Sequence, residues 1–233
     1  MRNLFRKQID TFVSPMFDHS IKEVDEYILK VELSGVPFKV CREIAVPSDI
    51  YAGYLAELLV LSVGWCGTHM HEILKDGIRY QRQSEIDRHI DEFSFSSENF
   101  RNSFNHTLGE LLRVPGDSFN LRYDFGDDWM HVVTLVEKKK YDSVSYDDPG
   151  VEVLAGEGNC PPDDCGGVPG YMHLLEVIAD SSNEEYEMMK EWLECWGYAD
   201  FDPEQFNLCE CRRRVDDYQR LIEEVRQGFF ARF

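Results

Sequence analysis

Between residues 119 and 137 the chain commits itself to an antiparallel sheet. Phe119, Leu121, Tyr123 and Phe125 alternate with Asn120, Arg122 and Asp124, the period-two pattern of a strand with one apolar face. Gly126, Asp127 and Asp128 follow, residue types that tolerate the backbone geometry of a tight reversal. From Met130 to residue 137 the sequence is then largely apolar, as an inner strand covered on both faces should be. The rest of the chain has to pack around this pair.

Upstream, Leu29, Val31 and Leu33 alternate with Lys30, Glu32 and Ser34, and a second strand-like run at 38–46 ends at Pro47. These two read as a hairpin. Tyr51, Tyr54, Leu55, Leu58, Leu59 and Ser62 recur at helical spacing, which predicts a helix with an apolar stripe on one side, capped by Ser48 or Asp49 and ended by Gly64. Residues 69–74 and 78–81 flank Asp76 and Gly77, a two-residue turn signal, because both residues tolerate positive φ. Residues 83–106 are polar with scattered phenylalanines and read as a long loop before a short helix at 107–112.

Pro149, Pro161, Pro162 and several glycines make residues 141–167 an irregular segment. Helical spacing returns with Pro169, where Tyr171, Leu174, Leu175 and Ile178 share a face. A capping box of Ser182 and Glu185 opens a second helix on which Tyr186, Met189, Leu193 and Trp196 line up. Asn207 with Glu210 opens a third, with Val215, Tyr218, Ile222 and Val225 inward. Strands first and helices last predict an α+β fold: a mainly antiparallel sheet built from hairpins, helices packed on one face, and a helical C-terminal third. Residues 1–25 read as an N-terminal extension, 26–215 as a single domain and 216–233 as a helical extension of it.

Charge narrows the function. The chain of 233 residues carries 44 Asp and Glu against 24 Lys and Arg, a formal net charge of −20, which argues against gripping a phosphate backbone with the whole surface. Lys138, Lys139 and Lys140, and Arg212, Arg213 and Arg214, are the local exceptions; each reads as a small anion patch or, more simply, a solvated face. The acidic balance suits a basic protein partner, a bound divalent cation or plain solubility. Seven cysteines and no signal-peptide pattern at the start point to the reducing cytoplasm. No apolar run reaches the roughly 20 residues a membrane span requires.

Two motifs concentrate chemistry: YDFGDDWMH at 123–131 and GEGNCPPDDCGGVPGY at 156–171. A reversal at 125–128 would set Asp124 opposite Trp129 and Arg122 opposite His131, leaving Asp124 and His131 as diagonal neighbours about 7 Å apart. A carboxylate at that distance can orient an imidazole for proton transfer or metal ligation. The structural alternative has Asp124 and Asp127 satisfying turn amides. In the second motif Glu157, Asp163 and Asp164 precede a helix start, and suit a hard divalent cation or simple helix capping. Cys160, Cys165, Cys209 and Cys211 are irregularly spaced for zinc, and His69 and His71 form an alternating pair without an evident third ligand.

The strings YDFGDDWMHVVTLVE, GEGNCPPDDCGGVPGY and DFDPEQFNL, with LKVELSGVPFKVCREIAVPSDI and GWCGTHMHEI upstream, resemble the plasmid pRiA4b ORF-3-like family. The likeness runs from Tyr27 to Val215. It implies an α+β domain of plasmids, transposable elements and chromosomes, and no particular reaction. Cys41, where relatives tend to carry tryptophan, and Cys165, where they tend to carry an aliphatic residue, depart from the family pattern.

Phosphate-binding, nucleophile-elbow and zinc-helix motifs are missing. One reading is therefore a non-catalytic accessory or interaction module of mobile-element context, whose acidic surface recruits a basic protein or imitates DNA. The motifs then form its groove or scaffold, with Arg122, Asp128, Trp129, Glu157, Asp163, Asp164 and Tyr171 as binding residues. The other reading is a metal-assisted hydrolase or nuclease. There Asp124, Asp127 and His131 are the catalytic candidates, and Asp124, His131, Glu157, Asp163 and Asp164 the metal-ligand candidates.

Overall fold

A computed structural model describes residues 15–21, 23–93, 97–140 and 150–230. Among these residues eight strands form one sheet: β1 (Asp25–Leu33), β2 (Cys41–Pro47), β3 (His71–Lys75), β4 (Ile78–Gln81), β5 (Phe100–Asn102), β6 (Ser118–Tyr123), β7 (Trp129–Lys140) and β8 (Glu152–Glu157). Their spatial order is β5-β4-β3-β6-β7-β1-β2-β8. The fold is α+β, and β7 takes an inner position as its apolar run predicts, but only one of its faces is covered: His131, Val133 and Leu135 are buried while Val132 and Val136 are exposed. The sheet is mixed, since β4 and β5 pair in parallel. Nor is it simply a row of hairpins, because β3 with β6, β1 with β7 and β2 with β8 pair across long stretches of chain.

Asp76 and Gly77 both take positive φ, at 50° and 78°, between β3 and β4, which is the geometry of a type I′ turn. The predicted loop at 83–106 contains more structure than its polarity suggests. Helix α2 (Gln83–Phe93) and β5 lie within it, and residues 94–96 are outside the described residues. Strand β8 likewise interrupts the segment 141–167, of which 141–149 lie outside the described residues. So do residues 1–14 of the predicted extension; Phe17 bridges Ile50.

Helix α1 (Ala52–Val63) is buried on every side except at Glu57, which corrects the one-sided stripe. It lies between the sheet and the long helix α6 (Leu208–Phe230) and contacts both, so a helix apolar all round is what its position demands. Gly64 ends it with φ 132°, but its N-cap is Tyr51, and no side chain caps it. Ser48 instead accepts the Asp25 amide, and the buried carboxylate of Asp49 has no hydrogen-bond partner among the described residues.

The one-face arrangement of helices also needs correction. Leu121 and Ile73 pair on the α1 face, whereas their neighbours Arg122 and Glu72 pair on the opposite face. There Gln81 donates to the Glu72 carboxylate, and His89 of α2 meets Gln81 and stacks on Phe125 at 15° between planes. Glu72 is 1% exposed and also takes two bonds from Arg79. A carboxylate so deeply covered persists only when paired and hydrogen-bonded, which is what α2 and its neighbours provide.

Helix α3 (Leu108–Leu111) starts on a Thr107–Glu110 capping box. Helices α4 (Gly167–Ala179), α5 (Tyr186–Cys195) and α6 complete the chain. Asn207 accepts the Glu210 amide at the start of α6, and Val215, Tyr218 and Ile222 are buried as predicted. For α5 the Ser182–Glu185 capping box does not form: Ser182 bonds Asp180, and Glu185 is an N-cap without a side-chain cap. Of the residues lined up on α5, Leu193 alone is buried, and Trp196 is 59% exposed. Among the described residues no helix is long and apolar enough to cross a membrane.

Candidate functional site

The two motifs meet. Five residues separate β6 from β7, one more than the predicted reversal, and both Asp124 (φ 55°) and Asp128 (φ 58°) adopt the left-handed conformation. Asp124 accepts the amides of Gly126 and Asp127 at 2.8 and 3.4 Å, an Asx-type closure that its short side chain makes feasible. The extra residue shifts the register. Tyr123 stands opposite Trp129, Arg122 opposite Met130 and Leu121 opposite His131, so the predicted Asp124–His131 pairing is not present.

His131 is instead fully buried with both ring nitrogens engaged. Trp65 Nε1–H donates to Nε2 at 3.1 Å, which assigns the proton to Nδ1 for its 3.1 Å bond to the Leu121 carbonyl. Burial lowers its pKa from 6.5 to about 4. It is a neutral core histidine, remote from general-base duty.

The second motif folds against the first. Tyr123 donates its hydroxyl to Asp163 at 3.1 Å, and the Cys66 amide donates to the other oxygen at 3.0 Å. Tyr198 in turn accepts the Asp163 amide at 3.2 Å. Asp127 accepts the Gly166 amide at 3.1 Å, directly ahead of α4. The anion received at that helix start is thus the protein's own carboxylate, and it comes from the first motif. Close approach is enforced by glycine: a Cβ on Gly167, at φ 67°, would lie 2.4 Å from the Asp127 carbonyl oxygen.

Behind this junction Trp65, Trp129, Tyr123 and Tyr171 form a buried aromatic cluster, with Trp65 ring centroids 5.1 Å from Trp129 and 5.4 Å from Tyr123. Trp129 Nε1 and the Tyr171 hydroxyl have no hydrogen-bond partner among the described residues. Burial, before the nearby Asp163 charge, pushes the Tyr123 phenol up.

At the outer edge His69 lies between the motifs. Its Nδ1 is 3.4 Å from Asp124 Oδ2 and its Nε2 is 3.5 Å from Asp164 Oδ1. The three side chains offer ligand atoms within 4.8 Å of one another. A neutral imidazole has one N–H, so its second nitrogen would turn a lone pair toward a carboxylate. An added positive charge completes such an arrangement.

Other candidates lie elsewhere. Glu157 ends β8, and three strands separate that strand from β6, about 19 Å at the usual strand spacing. Its carboxylate pairs with Lys39. Arg122 bonds Asp128 at 2.5 Å and packs over Phe125 on the α2 face. His71 does not join His69: it begins β3 and lines a small crevice together with Glu57 and Gly67, and burial with the nearby Arg82 charge lowers its pKa to about 4. The cysteines form no group of three or more metal-ligating residues among the described residues. Burial pushes Cys160 and Cys165 up to about 12, so neither is an activated thiolate.

The basic runs are engaged too. Lys138 and Lys140 pair with Asp25 and Lys139 with Glu137. Arg212 pairs with Glu152, Arg213 with Glu210 and Asp217, and Arg214 with Glu210 and the Gly64 carbonyl. A cavity of 290 Å³ between Trp65–Cys66 and α6 is lined by Arg213 and Arg214, whose charges these acids already balance.

His69, Cys66 and Tyr198 were not assembled from sequence. His71 pairs with Tyr123 across β3 and β6, which carries the residues before His71 alongside those after Tyr123. That pairing spans the whole of α2, β5 and α3, and no local pattern announces it.

Comparison with known proteins agrees with this architecture. "Uncharacterized protein y4hQ" of Sinorhizobium fredii is 30% identical over 191 residues, covering 81% of this chain and 90% of that protein. The crystal structure of a protein of unknown function, MM3350 from Methanosarcina mazei Go1, matches with a TM-score of 0.63 and 25% identity over 81% of this chain and 97% of its own. Residues 25–210 match the plasmid pRiA4b ORF-3-like proteins, over nearly the span on which the motifs were read, and the chain belongs to that family.

Proposed function

We propose that this protein is a non-catalytic accessory module of the cytoplasm, in the plasmid or mobile-element setting its family name carries, which recruits a basic protein through its carboxylate-rich surface. The observation behind this reading is how the motif acids are used. Asp127 and Asp163 accept backbone and tyrosine donors from the facing motif, and His131 is sealed in the core. Groups so committed hold a scaffold together. Uncompensated charge remains for the surface, where it steers association with a positively charged partner. Affinity capture by the full chain from lysate of its source cell should retain basic proteins in dilute salt and release them in concentrated salt. Retention indifferent to salt, or of neutral and acidic proteins alone, would contradict the reading.

The gathering of His69, Asp124 and Asp164 favours a second reading, a metal-assisted hydrolase with these three as ligands in place of His131 and Glu157. A divalent ion there would lower the pKa of a bound water or neutralise a substrate phosphate. Native mass spectrometry with Mn²⁺ should then show one ion, removed by chelator and lost in His69→Ala and Asp164→Ala, whose side chains are 28% and 52% exposed. A wild-type protein that takes up no ion sinks this reading.

A further inference from the structure

We propose that the outer face of α5 is the docking surface for a basic amphipathic segment of a partner protein. This deepens the interaction-module reading and rests on it. Residues 180–204 carry nine carboxylates against one lysine, a net of −8 out of the chain's −20. Within that stretch α5 turns Leu193 inward and leaves two rows outside. Met188, Trp192 and Cys195 follow one another at helical spacing, with Trp196 at the helix end; Met188 is 61% exposed, Trp196 59%, Cys195 exposed and Trp192 half-buried. Alongside them, Glu187, Glu191 and Glu194 repeat at four- and three-residue spacing and are all exposed.

Each row is unfavourable for a helix that stays alone. Like charges at these spacings repel by a few tenths of a kcal/mol per pair, and no ion pair relieves Glu187, Glu191 or Glu194 among the described residues. Lys190, the one cation of α5 itself, lies 5.7 Å over the Tyr186 ring. Exposed methionine and tryptophan side by side are an adaptable apolar contact, and a tryptophan face also attracts lysine or arginine. A helix presenting apolar residues to one row and cations to the other would satisfy both together. An anionic membrane would be repelled by the same carboxylates, and a second copy of this face would oppose like charges.

The test uses the full chain and two synthetic peptides of equal positive charge, an amphipathic Lys/Leu helix and a Lys/Ser peptide without an apolar face. Titration calorimetry should show the Lys/Leu peptide binding at least about ten-fold tighter. Met188→Ser/Trp196→Ser should abolish that preference while leaving Lys/Ser binding unchanged. Binding should also shield tryptophan fluorescence from iodide, because Trp65 and Trp129 are 0% and 1% exposed and the quenchable signal comes from α5. Equal affinity for both peptides, a preference that survives the double variant, or self-association that shields Trp196 without peptide would each overturn the surface. If lysate capture retains basic proteins equally on wild type and the double variant, the docking face falls and the interaction module stands. If capture itself fails, the module falls first.

Discussion

His131 shows how a side chain that reads as chemistry becomes architecture. Its neutral ring accepts from Trp65 and donates to the Leu121 carbonyl, and both bonds require a single proton on the imidazole. Because its pKa of about 4 in the folded protein lies below the ordinary 6.5, the unfolded chain takes up the proton first. Stability from this residue is complete above the ordinary value and drains away as pH falls toward the folded one. Between pH 7 and 5 the loss should be about 2 kcal/mol. Urea denaturation at the two pH values should show that loss shrinking in His131→Gln relative to wild type; an identical difference in both proteins would refute the assignment. The motif's sequence displays a histidine and acids close together and says nothing of which face each will occupy, since one additional turn residue moves every partner by one.

Among the elements, turns and crossings depend on glycine in two distinct ways. Gly77 at φ 78° has no atom near its missing Cβ, whereas Gly167 at φ 67° is held against the Asp127 carbonyl oxygen. Alanine at Gly77 therefore carries the left-handed backbone cost alone, about 1 to 2 kcal/mol. At Gly167 it adds a backbone collision between the motifs, for a total of at least about 3 kcal/mol. Comparing the urea midpoints of Gly77→Ala and Gly167→Ala checks this ordering. The Asp-Gly turn was plain in the sequence because its requirement is local. Gly167 sits in an equally glycine-rich stretch, but what it approaches comes from another motif, so its role is set by packing. Helix α2 and strand β8 are not legible in the sequence for a related reason. The polar α2 sets its His89 against Gln81 of β4, and β8 becomes regular by pairing with β2, a partner that lies far away in the chain.

For the whole molecule, a net charge of −20 means that folding concentrates like charges, and the compact state is opposed by its own field. Added NaCl should raise the melting temperature by a few degrees between about 0.02 and 0.3 M, as screening shortens the range of that repulsion. A melting temperature that falls across this range in calorimetry would show that the exposed ion pairs outweigh the repulsion. By itself the sequence determined what depends on neighbours along the chain: the alternating strands β1 and β6, the apolar run of β7, the turn at Asp76–Gly77, the Asn207 cap of α6, the family, and the acidic character. Local propensity and periodicity suffice for these, because the forces act within a few residues. Only the tertiary structure decided that α1 is covered on all sides, that His131 is core, that Glu157 lies across the sheet, and that His69 joins Asp124 to Asp164. Those outcomes follow from strand order and register, which are fixed by burial and hydrogen bonding between segments far apart in the chain.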